Sequence, residues 1–443
     1  MGPHRDPRRL AAHALRRVSD EGAWAAPTLD ALLAQSRLAP RDAALATAIT
    51  YGALRVLPTL DASIEALQTR RGKIDPLVRS ILRVAAFQLA HLGRVPAHAA
   101  VDAAVRHAKA ERGPRVAGFV NALCRRLAAA RPADPTPPER LVMPRWIEER
   151  LEAGLGAERA RAFVAERRLP PPLTLRLRGD AAPEGAVPGA LALAAVHAPA
   201  GDARALRGFP QAFVVQEEGS QLVGAALDAQ PGETVVDACA GRGGKTAQLA
   251  EAVGSRGAVL AVELHDARAA QISGALAELG LDQVPLTVDT VDLTVGTGDD
   301  AGRRGGFDAV LVDAPCSGLG TVHRRPEILL RLGPDDVAAL ARMQAAILRT
   351  AATLVRPGGR LVYAVCSPLV EEGAGVRDAC APALSALGLH DWPFPARLPG
   401  ARRDLRADPD GTLRLGPWLA DGEGCDGYQL FRWRRQLEPA GGG

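Results

Sequence analysis

The sequence predicts a multidomain protein: an all-α first part, followed by an α/β domain built on a mostly parallel, doubly wound sheet. Three observations carry this. Residues 5–130 place apolar side chains at three- and four-residue spacing, with no strand-like alternation. A proline-rich polar stretch, 131–140, then reads as a linker. From Phe213 onward short apolar runs alternate with helical periodicity, the pattern of strand–helix units sharing one parallel sheet. The expected divisions are residues 1–135, helical; 140–210, a small α/β connector; and 211–436, the sheet domain.

In the helical part the clearest element follows Asp75-Pro76, where Leu77, Ile81, Ala85, Leu89 and Leu92 share one face, and residues 96–110 repeat the pattern. Arg125 and Arg126 end a helix, and Arg5, Arg8 and Arg9 open the chain; either group could meet phosphates or simply solvate a helix end. Residues 143–166 read as helical, and Leu173, Leu175 and Leu177 as an alternating strand. In the sheet domain strands are expected at 234–236, 258–262, near 284–288, 307–312 and 360–365. Helices are expected at 245–253, 266–279 and 335–354.

Composition narrows the class. A hydrophobic content of 47% with 23% charge suits a globular protein with sizeable cores. No run of eighteen apolar residues and no signal-like opening occurs, so a cytosolic protein with no membrane partner is expected. The six cysteines are scattered without a C-x-x-C pair, which argues against a zinc site or a disulfide framework and makes reactivity the question for each thiol. Of 54 basic and 50 acidic side chains, residues 1–140 hold 22 and 12, net +10, leaving 32 and 38 in the remainder, net −6. A basic first part suits a polyanion, although an arginine-biased solvated surface gives the same count.

The chemistry gathers at strand ends. The strand 307–312 stops at Asp313-Ala314-Pro315-Cys316, and proline takes the chain out of the sheet on the side where such folds bind ligands. Cys239-Ala240-Gly241-Arg242-Gly243-Gly244-Lys245 is a glycine turn between strand and helix, and Glu263 ends the next strand twenty residues beyond Gly243, the distance of a ribose-binding acid. Neither G-x-x-x-x-G-K nor G-x-G-x-x-G is present, so a nucleoside without phosphates, as in S-adenosyl-L-methionine, fits better than a nucleotide. Asp289 or Asp292, at the end of the third strand, is placed to accept from an adenine amino group; the register leaves both open, with Asp292 favoured. A second strand ends in Cys366-Ser367-Pro368. Either thiol alone suits a core position. Two thiols past two strand ends of one sheet, with Asp313 and a methyl donor, suit attack on cytosine C6, support at N3 and methylation at C5.

The runs QEEGSQLV (216–223), ACAGRGGKT (238–246), VDAPCSGLGTVHRRPEI (312–328) and GGRLVYAVCSPLVEE (358–372) resemble the successive motifs of the RNA 5-methylcytosine methyltransferases of the NOP/Sun family. PRDAALATAITYGALR (40–55), RVPAHAAVDAAV (94–105) and GFVNALCRRL (118–127) resemble a NusB-like RNA-binding domain. The resemblance implies a NusB-like all-α domain and a Rossmann-like class I methyltransferase domain. It implies Cys366 as the nucleophile, Cys316 as the thiol that helps release product, and a methyl donor held by 239–245, Glu263 and Asp313. It also implies 16S ribosomal RNA as substrate, free rather than in an assembled subunit, acted on by a monomer without a metal.

Three positions depart from the family pattern. Gly241-Arg242 stands for Ala-Pro, Val365 for the Thr before the nucleophile, and Asp426-Gly427-Tyr428-Gln429 only partly matches an Asp-Gly-Phe-Phe ending. None removes a catalytic group.

Overall fold

The computed structural model describes residues 6–68, 72–134, 140–165, 172–199, 203–296, 303–420 and 424–437. Two compact units emerge. One comprises Met1–Ile147, Val164–Pro171 and Val322–Arg331, the other Glu148–Phe163, Pro172–Thr321 and Leu332–Gly443.

The first unit is helical, as its periodicity predicts: α1 (Pro7–Ser19), α2 (Ala25–Ala34), α3 (Pro40–Arg55), α4 (Leu57–Ala66), α5 (Pro76–His91), α6 (Ala97–Arg112) and α7 (Pro114–Ala129). Proline opens α1, α3, α5 and α7, where its fixed φ suits the first turn and its missing N–H costs nothing. Asp75 caps α5 by accepting the Val78 N–H at 3.1 Å. Helix α5 is buried nearly all round and packs against α1, α3, α4, α6 and α7 as the central element. Gly52 of α3 lets it come close: a Cβ there would lie 2.1 Å from the Phe87 ring.

The arginines considered as phosphate contacts are largely engaged inside this unit. Arg8 donates to Gln88 at 2.6 Å, Arg9 to Glu111 at 3.0 Å, and Arg126 to the Leu67 carbonyl at 3.0 Å. Arg5 and half of the proline-rich linker (135–139) lie outside the described residues. Residues 322–331, which sequence pattern attaches to the sheet domain, pack in the helical unit: the buried Glu327 accepts the Ala25 N–H at 3.0 Å, and Arg55 donates to the His323 carbonyl at 2.6 Å.

The expected helix 143–166 is two helices, α8 (Arg145–Leu155) and α9 (Ala157–Val164), because Gly156 turns the chain at φ +76°. An antiparallel sheet of order β2-β3-β1-β4 follows, formed by β1 (Leu173–Leu177), β2 (Val187–Pro188), β3 (Ala195–Ala198) and β4 (Phe213–Val215). Alternation along β1 predicts an exposed Arg176, yet it is buried, donating to Gln216 at 2.6 Å and paired with Glu251.

The main sheet matches the predicted class. Its elements are α10 (Glu218–Ala226), β5 (Thr234–Asp237), α11 (Gly244–Val253), β6 (Ala258–Glu263), α12 (Asp266–Glu278), β7 (Leu286–Thr290), β8 (Phe307–Asp313), α13 (Pro334–Ala352), β9 (Val355–Val365), α14 (Ala374–Ala386), β10 (Leu389–Asp391), β11 (Leu413–Leu415) and β12 (Tyr428–Arg435). The order is β10-β12-β9-β8-β5-β6-β7, with β11 beside β12; β9, β8, β5, β6 and β7 are mutually parallel. The order reverses between β5 and β8, so a crevice opens at their carboxyl ends. Alternate strand residues feed two cores. Val235, Ala261, Leu311 and Val362 face one layer with Leu249 and Ile272. Val236, Leu260, Val310 and Leu361 face the other with Leu348 and Leu384.

Three expectations shift. The third strand lies at 286–290, two residues later than expected. Strand β9 begins at Val355 rather than 360, its register broken where Pro357, Gly358 and Gly359 pass β8. The antiparallel strands β10, β11 and β12 were not foreseen. Among the described residues no single helix is long and apolar enough to cross a membrane.

Candidate active site

The carboxyl ends of β5, β6, β7, β8 and β9 carry the residues singled out from sequence. Strand β8 ends at Asp313, Ala314 still bonds the Ala364 carbonyl at 2.9 Å, and Pro315 then turns the chain away. Strand β9 ends at Val365, so Cys366 is the first residue beyond it. Because β8 and β9 are neighbours in register (Asp313 opposite Ala364), the two exits bring the thiols together: Cys316 Sγ and Cys366 Sγ are 3.2 Å apart. Contact with Cys366, then burial, pushes the Cys316 thiol well above its ordinary pKa, so Cys316 is protonated at neutral pH.

Lys245 joins this pair to the glycine loop. Its Nζ lies 2.5 Å from Asp313 Oδ2. Burial alone would lower the ammonium's pKa, but the charge and hydrogen bond of Asp313 outweigh it, with Asp237 and Cys366 adding to the effect, and the pKa ends above the usual value. Beneath the loop, Asp237 is buried and accepts the Thr246 hydroxyl at 2.8 Å. Burial pushes its carboxyl up to about 6 against the pull of Thr246 and Lys245.

The loop from Cys239 through Ala240, Gly241, Arg242, Gly243 and Gly244 runs onto the N-terminus of α11, with Gly243 in the left-handed region at φ +88°. Arg242 is exposed, Cys239 half-buried. Glu263, at the end of β6, steadies the loop: one carboxylate oxygen accepts the Gly241 N–H at 2.9 Å and the other the His265 N–H at 3.0 Å. The third-strand acids differ. Asp289 lies within β7 and is ion-paired with Arg303, whereas Asp292 lies beyond the strand end and accepts the Thr294 N–H at 2.8 Å and hydroxyl at 2.6 Å.

Sequence reading missed the residues that clamp the two thiol loops. Glu372 is fully buried (0% exposed); its carboxylate accepts the Ser317 N–H at 2.7 Å and the Ser317 hydroxyl at 2.5 Å. Gln344 donates to the Pro315 carbonyl at 2.9 Å and to Glu372 at 3.1 Å. Gln429 donates to the Ser367 and Leu369 carbonyls at 2.9 and 2.8 Å. A signal existed: Gln344 falls on the apolar face of α13 beside Ala345 and Leu348, and Gln429 lies between Tyr428 and the apolar pair Leu430-Phe431 in a buried strand, where an amide needs dedicated partners. The Gly427 N–H donates to the Gly320 carbonyl and the Gly320 N–H to the Cys366 carbonyl, both at 2.9 Å, so the Cys316 loop, the Cys366 loop and the start of β12 meet here.

Comparison with known proteins places this geometry. Residues 224–386 match the family described as 16S rRNA methyltransferase RsmB/F, and residues 5–129 the NusB family. A Bacillus subtilis protein named probable ribosomal RNA small subunit methyltransferase B is 31% identical, over 97% of this chain and 98% of its own. The chain belongs to the RsmB/F family of 16S ribosomal RNA methyltransferases. The Thermus thermophilus ribosomal RNA small subunit methyltransferase B is 36% identical over 97% of this chain and 98% of its own. A Mycobacterium tuberculosis protein named putative methyltransferase is 39% identical over 85% and 88%. The crystal structure of PH0851 superposes with a TM-score of 0.76 over 97% of this chain and 99% of that one, at 22% identity, a likeness of fold. As an RsmB/F member the chain is a methyltransferase of small-subunit ribosomal RNA, with a NusB domain preceding the catalytic sheet.

Among the described residues one further group has metal-ligating atoms within 4.8 Å of one another: His13, His107 and Glu111 in the helical unit. Arg9 is ion-paired with that Glu111.

Proposed function

We propose that this chain transfers a methyl group from S-adenosyl-L-methionine to C5 of one cytosine in 16S ribosomal RNA, through a covalent bond between Cys366 and C6 of the base. The observation that carries this reading is the pair of thiols 3.2 Å apart, beside Asp313 in its ion pair with Lys245. Cytosine C5 is a weak nucleophile. Addition of the Cys366 thiolate to C6 moves electron density toward C5, with Asp313 supporting N3. Carbon C5 takes the methyl group and loses its proton to a base; the C–S bond then breaks and its electron pair returns to sulfur. The Lys245 ammonium interacts electrostatically with both Asp313 and Cys366. Cys316, a thiol in contact with Cys366, helps release the product.

The loop Cys239–Lys245, Glu263 and Asp313 would hold the methyl donor, which when bound supplies an electrophilic methyl on sulfur. The loop fits this: a Cβ added at Gly241 or Gly244 meets nothing within 4 Å, leaving space over the N-terminus of α11. Asp292, beyond the strand end, suits the adenine amino group better than Asp289, which Arg303 engages. A base inside a helix is out of reach of such a site, so the target cytosine is single-stranded or flipped out. The basic first part, net +10 over residues 1–140, suits RNA binding by the NusB-like unit. Free RNA is the expected substrate and a monomer the expected form.

The test is methyl transfer from labelled S-adenosyl-L-methionine to unmodified 16S RNA, with mapping of the product. A single 5-methylcytosine, lost in Cys366→Ser, is expected. Cofactor binding without transfer would instead favour an RNA-binding assembly factor with an idle catalytic fold.

A further inference from the structure

Glu372 touches no proposed ligand position, yet it is a fully buried carboxylate committed to one loop. Both oxygens are used on Ser317, one by its N–H at 2.7 Å and one by its hydroxyl at 2.5 Å. Gln344, bonded to the same carboxylate at 3.1 Å, holds the Pro315 carbonyl at 2.9 Å. The residues on either side of Cys316 are therefore fastened to one buried pair, and Cys316 cannot move along the loop without breaking charge-assisted bonds. The backbone of Glu372 is fixed in turn: its carbonyl accepts the Tyr363 hydroxyl at 2.6 Å, from near the carboxyl end of β9. Ser317 also meets Ser367, the neighbour of Cys366, Oγ to Oγ at 3.3 Å. The network thus spans both thiol loops and sets their separation.

We propose that Glu372 is the positioning residue for Cys316: through Ser317 and Gln344 it holds the second thiol against the nucleophile, and so governs release of the methylated product rather than attack on the base. This rests on the covalent reading above. A carboxylate is needed because Ser317 offers two donors to two oxygens; a glutamine amide presents one acceptor oxygen and an NH2, so one of the two loses its bond to residue 372. Losing that bond loosens the loop carrying Cys316, while the Cys366 loop keeps the Gln429 bonds to the Ser367 and Leu369 carbonyls and Asp313 keeps its ion pair with Lys245.

The experiment compares wild type, Cys316→Ala, Glu372→Gln and Ser317→Ala, scoring turnover, an SDS-stable protein–RNA adduct, the KM for S-adenosyl-L-methionine and the melting temperature. Glu372→Gln is expected to cut turnover at least tenfold, with the KM for the donor unchanged, and to accumulate adduct as Cys316→Ala does. Ser317→Ala, which leaves the buried carboxylate intact, is expected to show the same pattern more weakly, and the double variant to be no worse than Glu372→Gln alone. A merely structural role would lower adduct and turnover together and cannot raise adduct. Wild-type turnover in Glu372→Gln, or lost turnover without adduct while Cys316→Ala accumulates it, overturns the proposal. If Cys316→Ala itself forms no adduct, the covalent reading fails instead. Should Glu372→Gln not fold, Ser317→Ala alone decides by its adduct level.

Discussion

Cys316 Sγ and Cys366 Sγ lie 3.2 Å apart although fifty residues separate them in sequence, because β8 and β9 are adjacent parallel strands that end at the same level. A disulfide bond is about 2.05 Å long, so the two sulfurs have to close by only about an ångström. Hydrogen peroxide is therefore expected to convert the two thiols to a disulfide, releasing two hydrogens while the peroxide is reduced to water. Methyl transfer should be abolished, and dithiothreitol should restore it. Peptide mapping that finds the first oxidised product at Cys239, or no 316–366 linkage, would refute this.

The two thiols should fail in opposite ways. Cys316→Ala should retain attack and stall before elimination, accumulating RNA-linked protein on denaturing gels. Cys366→Ala should give none. The reverse pattern would exchange the two roles.

Gly320→Ala tests the closeness of the loops without touching a reacting group. An added Cβ would lie 1.9 Å from the Gly427 carbonyl oxygen and 2.9 Å from that of Cys366, both backbone atoms. Overpacking of this kind costs about 3 kcal/mol. Urea denaturation should show that loss, and activity should fall even where the variant remains folded.

Asp237 gives a pH signature. Its carboxyl is raised to about 6, so between its ordinary pKa of 3.8 and 6 the folded chain holds a proton that the unfolded chain releases. Stability falls as pH rises through that window, and the full cost, roughly 3 kcal/mol, is present above it. Asp237→Asn keeps an acceptor for Thr246 and should raise the melting temperature at pH 8 but not at pH 3.5. An equal shift at both would remove burial as the cause.

His107 should act in the other direction. Burial, helped by His13 and Arg9 and opposed by Glu111 and Asp6, lowers its pKa from 6.5 to about 4. Here the unfolded chain takes the proton first, so acidification from 6.5 toward 4 weakens the helical unit. His107→Gln should flatten that part of the melting profile; an unchanged slope would assign it to other groups.

Much of this was legible in sequence where a local rule decides the outcome. Asp75-Pro76 announces α5 because capping and a fixed φ need only adjacent residues. Asp313, Cys316 and Cys366 could be placed because apolar runs that stop at an acid or a thiol mark strand ends at a crevice. What escaped depends on distant partners. Arg8 and Arg9 read as free cations until Gln88 and Glu111, about eighty and a hundred residues away, are seen to take them. Strand β12 follows the end of β9 by some sixty residues of mixed pattern, so its antiparallel pairing had no local signal. Glu372 and Gln429 are ordinary polar residues until the loops they clamp are known.

The pairing of β12 with β9 also sets when the last contacts around the site can form during synthesis. Gly427 and Gln429 complete the hydrogen bonds that hold Gly320, Ser367 and Leu369 around the nucleophile. Every reacting side chain is therefore translated before the segment that locks it in position. A nascent chain whose residue 429 is still inside the exit tunnel carries both thiols and the glycine loop but lacks the last hydrogen bonds to the Ser367 and Leu369 carbonyls.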